Sequence, residues 1–207
     1  MNGVQFLKMA GDARAFRQAA WLIEQEIARL KVTDGDLSPV GGASGWPSHS
    51  VWESLKTASH FNLATALELR LKCLLHLDGI EPPQGRDGHR LAGLHGLFAA
   101  HGSATEAELE RLFAQASDRH PFTLVAFLST DGPAVPEGPG DRQLRDLGDF
   151  LAYMDEDAEL WRKRYAWERA VGAQWQHYID DLSAFLAFLD ATEGLAMDMA
   201  RGRRIVR

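Results

Sequence analysis

The stretch that decides the fold is Ser50–Gly79, which reads SVWESLKTASHFNLATALELRLKCLLHLDG. Ser50 and Glu53 have the spacing of a capping box, in which two side chains satisfy the first free backbone N–H groups of a helix. No proline or glycine interrupts the segment before Gly79, a residue suited to the left-handed turn that ends many helices. Its apolar residues cover most of the helix circumference, which is typical of the central helix of a bundle. They are Trp52, Leu55, Leu63, Leu67, Leu69, Leu71, Leu74 and Leu77.

Capping residues and helical spacing predict three further helices around this one. One is predicted from about Asp12 to Lys31, with Asp12 as its cap, and a short one from about His89 to His101. Another begins with the capping box of Ser103 and Glu106 and reaches about Ser117.

The last third is predicted to hold two long helices. Apolar residues alternate spacings of three and four from Leu144 to Tyr165, and a final apolar face runs from Trp175 to Leu189. Residues 121–128 fit either a short helix or a strand, and helix is favoured because no partner strand is visible. The prediction is an all-α antiparallel bundle of about six helices, with no sheet of three or more strands.

Composition predicts one globular domain. The 207 residues are 45% hydrophobic and 25% charged, which are ordinary proportions for a packed domain. The core is expected over about 12–190, with loops rich in small residues and proline at 33–50 and 130–141. The end of the chain, 201–207, carries four arginines in seven residues and is expected to be a basic tail.

Charge and cysteine content restrict the classes of function. The net charge of −7 does not attract nucleic acid over the whole surface, so RNA contact would need a local basic patch. Arg201, Arg203 and Arg204 are the candidate nucleic-acid contacts, and a solvated tail is the alternative. A lone cysteine, no signal-peptide pattern and no apolar run of about 20 residues predict a cytoplasmic protein outside the membrane.

No motif predicts a metal or a cofactor. The eight histidines include no pair four residues apart and no HExxH motif, and one cysteine cannot build a zinc knuckle. No glycine-rich nucleotide-binding motif follows a strand. The chain is therefore expected to need neither.

Polar residues at fixed spacing carry a resemblance to a known family. They are Glu68 and Lys72 on the central helix, then Gly88, His89, Leu91 and Leu94 after a Pro-Pro turn. This segment resembles HEPN-type helical domains, which often carry Ala-x-Glu-x-x-x-Lys-x-Leu-Leu and then Gly-His-x-Leu-x-x-Leu. The later WRKRYAWE, with Arg164, Tyr165 and Glu168, is similar to an Arg-Tyr-x-x-Glu signature of uncharacterised relatives.

The resemblance implies a small helical bundle, commonly a homodimer. Family members range from metal-independent ribonucleases of toxin–antitoxin and phage-defence systems to inactive modules that bind nucleic acid or protein. Active members carry an arginine and, four to six residues later, a histidine in a late helix. The formal matches here, Arg70 to His76 and Arg90 to His95, lie too early, and Arg169 to His177 is too long.

Two functions therefore stay open. The first is a HEPN-like module that binds or cleaves RNA, and the alternative is a non-catalytic module that binds another protein. Cleavage would need a base that activates the 2′-hydroxyl and a cation that stabilises the phosphorane. His89, His177 and Arg164 are the candidates for these roles.

The same residues also have simpler interpretations. Glu68 and Lys72 stand four residues apart, so they could form an ordinary solvated salt bridge. Glu168 continues the apolar seam and is predicted to pair with Arg164 or Lys72, because an unpaired buried carboxylate is costly. Arg70 is expected on the surface, with its aliphatic stem over apolar neighbours.

Overall fold

The computed structural model describes residues 2–34, 39–40, 49–128, 142–157, 175–179 and 181–206. Six α-helices account for most of these residues: α1 Gly3–Asp34, α2 Val51–Asp78, α3 Leu91–Ala100, α4 Ala104–Arg119, α5 Leu147–Asp157 and α6 Ser183–Gly202. A 3-10 turn, Gly85–His89, precedes α3. The predicted fold class, an all-α bundle of about six helices, is confirmed. None of the helices in this described part of the chain is long and apolar enough to cross a membrane.

Helix α2 is central, as its sequence predicts. It begins directly after Ser50 and packs against α1, α3 and α6. Gly79 ends it with a φ of 77°, a conformation that glycine adopts without steric cost. The N–H groups of Ile80 and Gly79 donate to the carbonyls of Leu75 and His76, the two hydrogen bonds of a Schellman motif.

Helix α1 begins nine residues before the predicted start. Its cap is Asn2, whose side-chain oxygen accepts a hydrogen bond from the Gln5 N–H at 2.9 Å. The Gln5 side chain accepts from the Asn2 N–H at 3.1 Å, which completes a capping box with Asn and Gln in the two positions. Asp12 lies inside the helix, so its prediction as the cap is wrong.

Helix α4 begins where its sequence predicts, but its cap differs in detail. The Ser103 hydroxyl accepts from the Thr105 N–H at 3.1 Å, as a helix cap should. The Ser103 N–H donates to the carbonyl of Phe98 at 2.9 Å, so it closes the end of α3 instead of donating to the Glu106 side chain as predicted.

A small antiparallel sheet contradicts part of the prediction. Strand β3, Phe122–Leu128, pairs with β4, Arg142–Leu144, on one side and with β5, Trp175–Ile179, on the other. The helix favoured at 121–128 and the absence of a three-stranded sheet are therefore wrong, and the final helix begins at Ser183 and not at Trp175 as predicted. Each strand is short and its partners are distant in sequence, so local periodicity does not decide its structure.

The helix predicted from Leu144 to Tyr165 is wrong at its start. Leu144 ends β4, and α5 begins at Leu147. The residues from 158 onward in that predicted helix lie outside the described part of the chain. A second two-stranded ladder, β1 (Pro39–Val40) with β2 (His49–Ser50), lies within the predicted loop at 33–50.

Phenylalanines join the sheet to the helices. Phe150 of α5 lies at the centre of the group, with ring centroids 4.9 Å from Phe122 and from Phe185. Phe113 of α4 stacks on Phe122 at 4.7 Å. All four side chains are fully buried or nearly so, which places β3 against the same core as α4, α5 and α6.

Candidate functional site

Three of the predicted polar residues meet at one point, which we call the Glu68 cluster: Glu68, Lys72 and His89. The Lys72 Nζ donates to Glu68 Oε1 at 2.6 Å. The His89 Nδ1 lies 3.1 Å from Glu68 Oε1 and 3.2 Å from Glu68 Oε2. One carboxylate therefore contacts an ammonium group on its own helix and an imidazole ring that arrives from another element.

The turn before α3 brings His89 to α2, and it needs a glycine to do so. A Cβ placed on Gly88 would lie 2.2 Å from the carbonyl oxygen of Pro83 and 3.9 Å from Lys72 Nζ. The first distance is shorter than any real contact, so only glycine lets the turn pass Pro83 this closely. The Gly-His pair of the sequence is thus one structural unit: Gly88 permits the approach and His89 reaches Glu68.

The members of the Glu68 cluster differ in how far their side chains are exposed to solvent. The Glu68 and Lys72 side chains are 16% and 19% exposed, whereas His89 is 49% exposed. The simpler interpretation, a fully solvated salt bridge, does not fit a pair this enclosed. The carboxylate fixes the orientation of a ring that solvent and solutes can reach, which is the arrangement needed to move a proton.

The remaining predicted site residues are not seen in the Glu68 cluster. Arg164, Tyr165 and Glu168 lie outside the described residues, so the pairing of Glu168 stays a prediction. His177 lies in β5, where it pairs with Ala126 of β3. Its backbone is thus in a strand and not in the predicted late helix.

The C-terminal arginines lie at and just after the end of α6, and all three are exposed. Arg201 pairs with Asp198 on the same helix, and Arg203 reaches Asp78 at the end of α2 at 3.4 Å. Arg204 has a φ of 56°, and the Ile205 N–H donates to the Ala200 carbonyl at 2.9 Å. Both paired arginines keep about half of their side chains exposed, at 60% and 48%.

Arg70 is buried, so its prediction as a surface residue is wrong. Its side chain is 3% exposed and pairs with Glu193 of α6, which also pairs with Arg14 of α1. Burial lowers the pKa of Arg70, and the charge of Glu193 opposes that effect. Its Nη1 atom is buried and has no hydrogen-bond partner among the described residues. One carboxylate thereby links α1, α2 and α6.

A second cluster of buried polar side chains was not predicted from the sequence. Lys56, Ser59 and His60 occupy one turn of α2, and each is at most 2% exposed. Lys56 Nζ donates to Glu24 Oε2 of α1 at 2.8 Å. The buried Glu24 Oε1 and Ser59 hydroxyl have no hydrogen-bond partner within the described part of the chain. In the sequence these residues share the i, i+3, i+4 spacing of one helix face, but the polar residues around them hide that signal.

The described residues contain no group of three or more His, Cys, Asp or Glu side chains that could hold a metal ion. Comparison with known proteins gives no relative: no family model, no curated protein and no solved structure matches the chain. The function of the chain is therefore inferred from its fold and from its polar groups.

Proposed function

We propose that this protein is a HEPN-like helical module that acts on RNA, with the Glu68 cluster at its site. The observation that carries the proposal is the contact of His89 Nδ1 with Glu68, 3.1 Å away, beside the Lys72 ammonium. A half-exposed imidazole held by a carboxylate is a suitable general base, and a neighbouring cation attracts a phosphate. The resemblance of residues 60–94 to HEPN-type domains supports the same proposal.

The chemistry would be transfer within the RNA backbone. His89 would take the proton of a 2′-hydroxyl while that oxygen forms a bond to the adjacent phosphorus and the bond to the 5′-oxygen breaks. A cation would stabilise the charge of the phosphorane, and the leaving 5′-oxygen would receive a proton. Lys72 is the cation that shares the Glu68 carboxylate with His89, and Arg164 and His177 remain candidates for the other roles.

The same proposal includes the biological role of the protein, its location and its oligomeric state. The resemblance favours a toxin–antitoxin or phage-defence role and a homodimer, and the lone cysteine fits a cytoplasmic location. No cofactor takes part in the proposed reaction, because the base and the cation are both side chains. The acidic net charge of −7 means that RNA affinity must come from a local surface, for which the exposed parts of Arg201, Arg203 and Arg204 are candidates.

The experiment compares His89→Ala with His101→Ala on labelled single-stranded RNA in the presence of EDTA. His101 is an exposed histidine at the end of α3 whose Nδ1 contacts the Leu97 carbonyl of its own helix, so it is a matched control. Cleavage is expected to fall about a hundredfold or more for His89→Ala, the contribution of a positioned general base. Wild-type cleavage by the His89 variant, or no RNA binding by the wild type, would refute the proposal.

A second candidate function has its own support. The large exposed hydrophobic side chains among the described residues all lie on α1, which favours a module that binds protein. Glu68→Gln distinguishes the two functions. Loss of stability with unchanged RNA binding would make the Glu68 cluster structural, and loss of RNA activity at unchanged stability would place it in a site.

A further inference from the structure

Helix α3 begins without a capping side chain of its own. The residue before it, Arg90, stands in the cap position with an extended backbone, φ −87° and ψ 112°, and its side chain makes no capping hydrogen bond among the described residues. A guanidinium group cannot accept a hydrogen bond, so it cannot satisfy the first N–H groups of a helix. A protein acceptor for these groups has to come from elsewhere in the chain.

Asp155 of α5 supplies that acceptor, and it does so twice. Its Oδ1 accepts from the Leu91 N–H at 2.7 Å, and its Oδ2 accepts from the Ala92 N–H at 2.9 Å. The two contacts join residues 64 and 63 positions apart in the sequence. A carboxylate at this place also interacts favourably with the positive end of the helix dipole. The start of α3 is therefore tied to a different helix.

Asp155 holds this position although burial opposes its charge. Burial raises the pKa of the Asp155 carboxyl, and the two backbone hydrogen bonds and the charge of Arg90 act in the opposite direction. The ionised carboxylate accepts at both oxygens, whereas a protonated carboxyl carries a donor on one of them. The groups at the start of α3 thus favour the form of Asp155 that caps the helix.

The helix start that Asp155 holds lies next to His89. Only Arg90 separates His89 from Leu91, and consecutive Cα atoms are about 3.8 Å apart, so these two Cα atoms lie within about 8 Å of each other. On the other side of His89, the turn is held by the close backbone approach at Gly88. The backbone of His89 is thus held on both sides.

We propose that Asp155 is a positioning residue for His89: by capping α3 from α5, it holds the turn that places the imidazole against Glu68. The inference rests on the proposed function only in the role of His89 as the base. The position of the ring itself can be measured without RNA, so the two proposals can fail separately.

Nuclear magnetic resonance of the histidine rings tests the position. The His89 signals are those missing from the spectrum of His89→Ala, and Glu68→Ala shows where they lie once the carboxylate partner is removed. In Asp155→Ala the Nδ1 signal of His89 is expected to move toward its Glu68→Ala value, because a displaced turn weakens the hydrogen bond from Nδ1 to Glu68. Asp155→Asn keeps one acceptor oxygen and should give an intermediate shift, and it carries the test if the alanine variant does not fold.

Asp181→Ala is the matched control. Asp181 is exposed and accepts from the Ser183 N–H at 2.8 Å at the start of α6, so this variant removes the same side chain and the same charge from another helix start. It should leave the His89 signals at their wild-type values. Melting temperatures of the variants show that each is folded at the temperature of the measurement.

Kinetics on single-stranded RNA test the consequence for the reaction. In Asp155→Ala, kcat is expected to fall by up to about a hundredfold, since a displacement of about 1 Å at a reacting group can have this effect. KM should change little, because the lost interaction serves the transition state and not substrate binding. Asp155→Asn should lie between this variant and the wild type, and Asp181→Ala should keep the wild-type kcat.

The outcomes separate the two proposals. His89 signals that do not change in Asp155→Ala would overturn the inference, whatever the activity. An equal fall in kcat for Asp155→Ala and Asp181→Ala would also overturn it, because a general loss of stability would account for both. If the His89 signals move as expected but the wild type does not cleave RNA, the positioning by Asp155 stands and the proposed function fails.

Discussion

Glu193 joins two arginines from different helices. Its carboxylate contacts the buried guanidinium of Arg70 and the more exposed one of Arg14. Three residues earlier on α6, Asp190 makes a two-point contact with Arg17 at 2.9 and 2.7 Å, but that pair lies at the surface. The two carboxylates therefore make similar contacts at different depths, which allows the effect of burial to be measured.

Changing Glu193 to Gln should lower the free energy of unfolding by roughly 3–5 kcal/mol, because it leaves the buried Arg70 charge without its counter-charge. Asp190→Asn is the control and should cost less than about 1 kcal/mol, since an exposed ion pair contributes little. Urea unfolding of both variants measures the difference. Equal losses would mean that burial of Arg70 does not control the strength of its ion pair.

At the scale of elements, helix ends decide where the chain turns. Gly79 and Gly102 occupy the left-handed positions after α2 and α3, with φ angles of 77° and 61°. After α6 the same position holds Arg204, with a φ of 56° and the same pair of hydrogen bonds: Ile205 to Ala200 and Arg204 to Arg201. A left-handed conformation costs an ordinary residue roughly 1–2 kcal/mol relative to glycine.

Replacing Arg204 by Gly should therefore stabilise the protein by about 1 kcal/mol and raise its melting temperature. Arg203→Gly is the matched control, because Arg203 has a φ of −87° and also pairs with Asp78. That neighbouring change should be neutral or destabilising. A lower melting temperature for Arg204→Gly would show that the Arg204 side chain contributes more than its backbone strain costs.

At the scale of the whole molecule, α2 supplies a member to each of three polar groups. Lys56 contacts Glu24 of α1, Arg70 contacts Glu193 of α6, and Glu68 meets His89 after the turn. The buried phenylalanines tie β3, α4, α5 and α6 into one core. The chain should accordingly unfold as one unit, as expected of the single domain that its composition predicts.

The variant Phe150→Ala tests whether the chain unfolds as one unit. The ring lies between Phe113, Phe122, Phe185 and Phe188, so its removal leaves a cavity lined by several elements. The expected loss is about 3–5 kcal/mol. Circular dichroism at 222 nm, which follows the helices, and tryptophan fluorescence should show one coincident transition at a lower midpoint. Two separated transitions would contradict a single core.

The sequence by itself determined the helical fold class and several helix ends, and it singled out the residues of one polar cluster. Capping residues and a glycine stop are local features, so they located the starts of α2 and α4 and the end of α2. The i, i+4 spacing of Glu68 and Lys72 and the Gly88-His89 pair after the turn also pointed to residues that meet in space. The helix ends depend on residues close together in the chain, whereas Glu68 and His89 are 21 residues apart and are brought together by the turn between them.

Tertiary structure alone decided the sheet, the buried charges and the helix end at Arg204. β3 pairs with a strand about 50 residues away, and such a long-range partner leaves no local periodicity to detect. Arg70 is buried because Glu193, 123 residues later, supplies its counter-charge, and nothing around Arg70 in the sequence indicates that partner. Lys56 likewise depends on Glu24 of a neighbouring helix. A charge on a helix is a surface residue or a core residue according to what packs against it, and only the folded chain determines that neighbour.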